Sequence, residues 1–399
     1  MNTYFGKKVA VALVLLLAFL LPLGSLFAQV DSTGQLDGRV NTVFTAIPFL
    51  RINPDGRTGA MGDVGIATDV DAAAIYHNAS KLAFAPRTFA LSATYTPWLK
   101  ELVNDIYIAY LAGYYKIDDL QSMGLSIRFF SLGNIQFRDI NGGETGQHNP
   151  NEFVADLAYA RKLSDRFSSG ITLKYVRSDL ASGQEVGGSG NIVTPAQAVA
   201  ADVSFFYRNP ELSIGGREAE LSLGAAVTNI GNKVSYTQEN VKDFIPINLG
   251  LGSNLKMNID DYNTIALAFD INKLLVPSPD PSIDPVSPDA PRNKPLLSGM
   301  FGSFADAPGG FGEEMQELMF SIGAEYWYNN MFAVRLGHFN EHRLKGNRKY
   351  LSVGLGLRYS SFGFNFSYIV PTSSQPSPLD NTLRFSLIFD AGEAEDDAN

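Results

Sequence analysis

The stretch KYLSVGLGLRYSSFGFNFSYIV, residues 349–370, decides the architecture. Leu351, Val353, Leu355, Leu357 and Tyr359 occupy every second position, with Ser352, Gly354, Gly356 and Arg358 between them. After Ser360 and Ser361 the alternation resumes in Phe362, Phe364, Phe366 and Tyr368, separated by Gly363, Asn365 and Ser367. Side chains of a strand point alternately to its two faces, so each run has one apolar face and one small or polar face. The serine pair between them is a tight turn joining antiparallel strands. A soluble sandwich can show the same alternation. The polar or small opposite face, and a run length of about ten residues, are what a tilted membrane strand requires.

The pattern recurs along the chain from Phe89. Ile171, Leu173 and Tyr175 show it, as do Leu221, Leu223, Ala225 and Val227, and later Leu383, Phe385, Leu387 and Phe389. Fourteen runs are counted, beginning near Phe89, Ile106, Met123, Phe153, Ser168, Ala200, Ala219, Asn248, Thr264, Phe320, Met331, Tyr350, Phe362 and Asn381. Their connections alternate between short turns, such as 164–166 and 329–330, and longer loops, such as 133–151, 180–198 and 275–319. An even number of strands with short turns on one rim and long loops on the other predicts an all-β fold, a 14-stranded antiparallel outer-membrane β-barrel, with the long loops extracellular and both termini periplasmic.

Charges on the small or polar face must then point into the lumen. They are Arg128, Asp156, Lys174, Asp202, Glu220, Asp270, Glu325, Arg335, Arg358 and Arg384. An Arg or Lys facing lipid at the midplane costs about 2–4 kcal/mol, which selects the register that turns these residues inward. Five acids and five bases fit an internally neutralised network better than a selectivity ring of one sign.

Composition removes other classes. There is no cysteine, so thiol chemistry, disulfides and zinc ribbons are excluded. A net charge of -10 argues against a nucleic-acid partner, which calls for a basic surface. Lys7 and Lys8 precede an apolar run over 9–23, with Ala28 before the polar Gln29, which predicts a secretory signal peptide over 1–28. The barrel is assigned to 88–390 and an acidic periplasmic tail to 391–399. Residues 29–87 lack sustained alternation but are apolar and punctuated by Gly56, Gly59, Gly62 and Gly65, and are read as an N-terminal periplasmic or plug segment that meets the first strand at the periplasmic rim and either folds into the lumen or caps the barrel.

Catalytic signals are weak. His338-Phe339-Asn340-Glu341-His342 spells H-x-x-E-H, but Phe332, Val334 and Leu336 put His338 on a strand, where residues four apart are separated by roughly 13 Å. No phosphate-binding glycine loop or nucleophile motif is found, and neither an enzymatic activity, a metal nor a cofactor is expected. The longest loop, 275–319, carries seven prolines between 276 and 295, which make an extended strap of low entropy. Phe301, Phe304, Phe311, Met315 and Leu318 follow it as candidates for partner binding, or for a lid packed over the barrel mouth.

Two groups of residues carry a family resemblance. The stretch 46–67, with Pro48-Phe49-Leu50 and Arg57-Thr58-Gly59-Ala60-Met61-Gly62, resembles the N-terminal region of barrels related to the FadL long-chain fatty-acid transporters. SIGAEYWYN (321–329), KGNRKY (345–350) and TLRF (382–385) narrow it, because the chain over 41–390 resembles the PorV (LptO) family of the type IX secretion system. One departure is that Asn78-Ala79-Ser80 stands where the related stretch reads Asn-Pro-Ala. The resemblance implies a non-enzymatic protein embedded in outer-membrane lipid of a diderm bacterium. It further implies an adaptor that takes secreted proteins by their C-terminal signal domains from the translocon barrel (Sov/SprA) to the attachment complex containing PorU. The alternative it leaves open is a FadL-like transporter of hydrophobic small molecules.

Overall fold

The computed structural model describes residues 41–98, 105–138, 142–184, 192–237, 242–284, 287–372 and 381–392. The expected signal peptide and the tail beyond 392 lie outside the described residues. Fourteen strands close into one antiparallel barrel: β1 (Phe89–Pro97), β2 (Ile106–Asp118), β3 (Gln121–Leu132), β6 (Asn151–Ser164), β7 (Phe167–Asp179), β8 (Ala196–Ile214), β9 (Arg217–Gly231), β10 (Asn248–Asp260), β11 (Asn263–Leu274), β12 (Met319–Tyr328), β13 (Phe332–Asn340), β14 (Lys349–Tyr359), β15 (Phe362–Pro371) and β16 (Leu383–Ala391). β1 pairs with both β2 and β16, which removes every open edge from the sheet. A separate hairpin, β4 (Ile135–Arg138) with β5 (Glu144–His148), stands inside the connection read from sequence as a plain loop.

The alternation sets the two faces. Leu125, Leu157 and Leu173 lie opposite one another on β3, β6 and β7 and are all exposed on the outer wall. The intervening residues are buried and mostly small, such as Ser126, Ala158 and Thr172. Short turns join β2–β3, β6–β7, β8–β9, β10–β11, β12–β13 and β14–β15, and the longer connections lie at the opposite end. The β8–β9 turn places Gly215 and Gly216 both at positive φ, the backbone a two-residue hairpin demands. Among the described residues no helix is long and apolar enough to cross a membrane.

Residues 41–87 run along the inner wall. Asp55 caps the single turn Gly56–Gly59 through the Thr58 amide, and Asn78 caps Ala79–Phe84 through the Ser80 amide. The Asn78 carboxamide also donates to the carbonyls of Ile66 and Phe205, which holds this bend in place. The segment bonds to inward side chains far apart on the circumference. The Gly56 amide donates to Ser386, the Gly62 amide to Ser352 and the Ser80 amide to Ser204, while Ser168 donates to the Ser80 carbonyl. Glycine in the wall permits the approach: a Cβ on Gly337 would lie 2.0 Å from the Gly62 nitrogen and the Met61 carbonyl carbon.

The segment runs from the long-loop end toward the short-turn end. Ile47, Phe49 and Leu50 pack with Leu274, Leu275 and Phe339 at the long-loop end, whereas Ala74 to Ala85 pack with Tyr114, Ala160 and Phe206 toward the short-turn end. Asn41 donates to the Pro279 carbonyl and the Glu313 carboxylate. The described start of the chain thus sits among the long loops, and only the junction with β1 lies at the short-turn rim.

Candidate functional site

Eight of the ten inward charges read from sequence are buried, and their partners are mostly not one another. Lys174 pairs with Asp202 at 2.8 Å, and Arg335 with Glu325 at 2.7 Å. The remaining bonds run largely to residues 41–87. Arg57 donates to both oxygens of Glu325 and to Asp71. Asp270 accepts the amides of Gly65 and Ile66 at 2.8 and 3.0 Å. Arg128 and Arg384 donate to the consecutive carbonyls of Ile52 and Asn53, and the Arg128 guanidinium also lies over the rings of Phe49 and Tyr76. Asp156 accepts from Ser126. Glu220 is half-buried beside Arg208, and Arg358 is exposed, over the Trp327 ring at the end of its strand. The expectation of a network neutralised within its own ten members is thereby corrected, since backbone dipoles and the charges Arg57 and Arg208 satisfy much of it. Burial opposes the Arg57 charge, but Glu325 and Asp71 outweigh it and hold its pKa well above the ordinary arginine value.

Two further ionic clusters close the long-loop end. Arg51 and Arg348 share the Glu341 carboxylate at 2.9 and 2.8 Å. Burial raises the Glu341 pKa, yet Arg348 and Arg51 bring it below the ordinary glutamate value. Lys273 pairs with Glu314 and Glu317 at 3.0 and 2.6 Å, and Lys345 with Glu313 and Glu317 at 2.5 and 3.0 Å. Burial pushes the Glu313 carboxyl up, but hydrogen bonds from Lys345, Asn41 and the Gly309 amide hold it below its usual range.

These ion pairs anchor the loop between β11 and β12. Its two short helices, Leu296–Gly302 and Phe311–Gln316, each turn one face inward. Gly299 packs against Phe244, and Met300, Glu314 and Glu317 are buried. The outer face carries Phe301 at 67% exposure, Phe304 at 49%, Phe311 at 79% and Met315 at 46%, while Leu318 is half-buried. Met300 thus packs inward beside Gly299, while Leu297, Phe301, Phe304, Phe311 and Met315 of the same loop face solvent.

A family model for the type IX secretion system protein PorV matches residues 35–281. The chain belongs to the PorV family. Type IX secretion is the process this family serves, and a closed fourteen-stranded barrel is the form in which this PorV-family chain is consistent with an outer-membrane location. No curated protein matches it. Among solved structures it is similar to the toluene transporter TbuX of Ralstonia pickettii, at 14% identity over 85% of this chain and 97% of that one, with a TM-score of 0.48. It is also similar to the P. putida toluene transporter TodX, at 11% identity over 85% and 98%, TM-score 0.48. A Pseudomonas aeruginosa FadL homologue follows at 10% identity over 88% and 99%, TM-score 0.44.

The H-x-x-E-H spelling is spent on structure in this PorV-family barrel. A ring nitrogen of His338 meets the Tyr350 carbonyl, Glu341 is held by its two arginines, and His342 accepts the Leu344 amide. Among the described residues no group of three His, Asp or Glu side chains stands together as metal ligands. Sequence reasoning missed Arg208 and Lys256, although the same alternation that marks Asp202 and Glu220 reaches both. It also missed Arg57, Asp69 and Lys345, which lie outside the alternating runs, and Lys273 at the end of β11, which the alternation of Phe269 and Ile271 would turn outward but which is buried. Lys256 pairs with Asp69 at 3.0 Å.

Proposed function

We propose that this barrel is a non-enzymatic adaptor in the outer membrane, its long loops at the cell surface. It binds the C-terminal signal domains of secreted proteins at the translocon barrel and hands them to the PorU-containing attachment complex. Residues 41–87 act as a plug, so the lumen serves as a scaffold rather than a conduit. The observation that carries this reading is the loop between β11 and β12, where Phe301, Phe304, Phe311 and Met315 are exposed on a frame held by buried ion pairs. A rigid frame lowers the ordering cost of binding, and burying one such aromatic contributes roughly 1.5–3 kcal/mol. The experiment is Phe301→Ser combined with Phe304→Ser. Barrel assembly is followed by heat-modifiable gel migration and partner recovery by pull-down from outer membranes. Intact assembly with signal-domain protein or translocon lost supports the adaptor. Intact assembly with unchanged recovery, or fatty acid as the only co-purified component, favours the FadL-like transporter instead.

A further inference from the structure

Between the inner segment and the wall lies a cavity of about 100 Å³, bounded by Arg51, Asp63 and Tyr76 of the segment and by Lys174, Ser321 and Arg348 of the wall side. Its charges are unevenly matched. Lys174 is paired with Asp202, and the Asp63 carboxylate accepts from the Tyr350 hydroxyl and the Asn53 amide. Glu341 serves the two arginines unequally. Arg348 reaches both of its oxygens, from Nε at 2.8 Å and Nη2 at 3.1 Å, whereas Arg51 reaches one, from Nη2 at 2.9 Å. The other acceptor of Arg51 Nη2 is the Met319 thioether at 3.2 Å, a weak one, and its Nε and Nη1 have no partner among the described residues. Burial and the neighbouring Arg348 charge accordingly lower the Arg51 pKa from 12.5 to about 10. Ser321 lies two residues beyond Met319, on the same face of β12. It is 2% exposed, and its hydroxyl also has no partner.

We propose that this cavity binds a small monovalent carboxylate, held by the Arg51 guanidinium and the Ser321 hydroxyl. A guanidinium with open N–H groups matches a carboxylate, which accepts two such bonds side by side, and the charge-assisted contact is stronger than one to a thioether. A buried cation with half a partner gains most from a second anion. Asp63 and Glu341 stand close by, so a second negative charge on the ligand would be repelled and the ligand carries one. The volume sets the size. A cavity of roughly 150 Å³ holds a benzene-sized molecule, so this one admits an acid of two or three carbons and no acyl chain. The wall around it agrees, since Asn248 and Asn272 present carboxamides where a hydrocarbon tail would need apolar contacts. The site is separate from the exposed face of the β11–β12 loop, so it does not depend on the adaptor reading.

The test uses the full-length protein purified in mild detergent, with radiolabelled acetate in equilibrium dialysis at pH 7.5. Binding should saturate at about one acetate per barrel. Arg51→Gln should weaken it at least tenfold and Ser321→Ala at least threefold, while Arg166→Gln in the β6–β7 turn should leave it unchanged, all variants being shown to assemble by heat-modifiable migration. Ser321→Ala removes only a hydroxyl and decides the matter if Arg51→Gln does not assemble. No saturable binding in the wild type means that the cavity holds water alone and overturns the proposal, as does equal binding in the wild type and both cavity variants. Two competitors test the ligand class. Displacement by equimolar chloride makes the site one for halide, and tighter binding of octanoate than of acetate places an acyl chain where the proposal allows none; either result overturns it.

Discussion

The Arg57 guanidinium of the inner segment grips the Glu325 carboxylate of β12 through both oxygens, Nε to Oε1 at 2.9 Å and Nη2 to Oε2 at 2.7 Å. Arg335 on β13 donates to Oε1 of the same carboxylate at 2.7 Å. A bidentate, buried, charge-assisted contact of this kind fixes geometry as well as adding energy. It ties residues 268 apart in sequence and seats the inner segment against the wall at a defined height.

The two ends of that contact should not be equivalent. Arg57→Met leaves Glu325 with Arg335, whereas Glu325→Ala leaves the Arg335 guanidinium buried with no carboxylate. Breaking a buried pair so that charge is stranded costs about 3–5 kcal/mol, and Glu325→Ala should approach that figure while Arg57→Met falls clearly below it. Urea unfolding of the refolded barrel measures both. A larger loss for Arg57→Met contradicts the assignment of Arg335 as the second partner.

Gly337 is the place to unseat the inner segment. The contact a Cβ would make there is with backbone, which cannot swing aside as a side chain can. Planar-bilayer recordings of the wild type should show little steady conductance, and Gly337→Val should raise it several-fold and expose residues 53–78 to protease. Gly337→Val with wild-type conductance and protease resistance rejects the plug reading. Large steady conductance in the wild type points to an open pore instead.

Acid should loosen the segment. His77 meets Thr58 at 3.2 Å, and burial, with help from Lys81, lowers its pKa from 6.5 to about 3. The unfolded chain therefore takes up a proton between those values that the folded chain refuses, so stability present above pH 6.5 falls as pH drops toward 3, by at most about 1.4 kcal/mol per pH unit. Glu341 acts in the same direction lower down. Its folded pKa lies below the ordinary 4.5, so its contribution is present above that value and is lost as pH falls through the folded one. Between pH 7.5 and 4.5 the urea midpoint of His77→Gln should fall less, or rise more, than that of the wild type. An unchanged slope in His77→Gln assigns the effect to other groups.

Membrane topology can be read with single cysteines, since the chain has none of its own. Ser303 looks suitable from the sequence but is buried, its hydroxyl donating to the Met300 carbonyl, so the exposed Ala305 is the better site. A membrane-impermeant maleimide added to intact cells should label Ala305→Cys and spare Ser361→Cys in the β14–β15 turn. The reverse pattern inverts the barrel.

The strands were legible because each needs only a local period. The runs starting at Phe89, Ile106, Asn248 and Phe362 begin on those residues in the structure. The alternation from Ala200 was placed late because β8 starts at Ala196, where alanines on the inner face weaken the contrast. The β4–β5 hairpin escaped notice because its alternation is only two apolar residues long, Ile135 and Phe137, and β5 has none. The inward set was legible in part: eight of its ten charges are buried, Arg358 is exposed, and Arg208 and Lys256 on the same face were passed over. What those charges bind was not legible. Arg57, Asn41 and Asp69 lie in a segment without a period, and their partners Glu325, Glu313 and Lys256 are brought to them by barrel closure. The long loop divides in the same way. Its composition marked a proline-rich segment followed by aromatic residues, yet in place of an extended strap the segment turns at 281–283 and 287–290 and winds into the 3-10 turn Pro291–Asn293. That Met300 is buried while its neighbour Phe301 is exposed depends on the helix Leu296–Gly302 meeting Phe244. Alternation along a strand is a property of the chain itself; which side of a short helix faces inward, and which arginine meets which carboxylate, depends on surfaces that exist only once the barrel has closed.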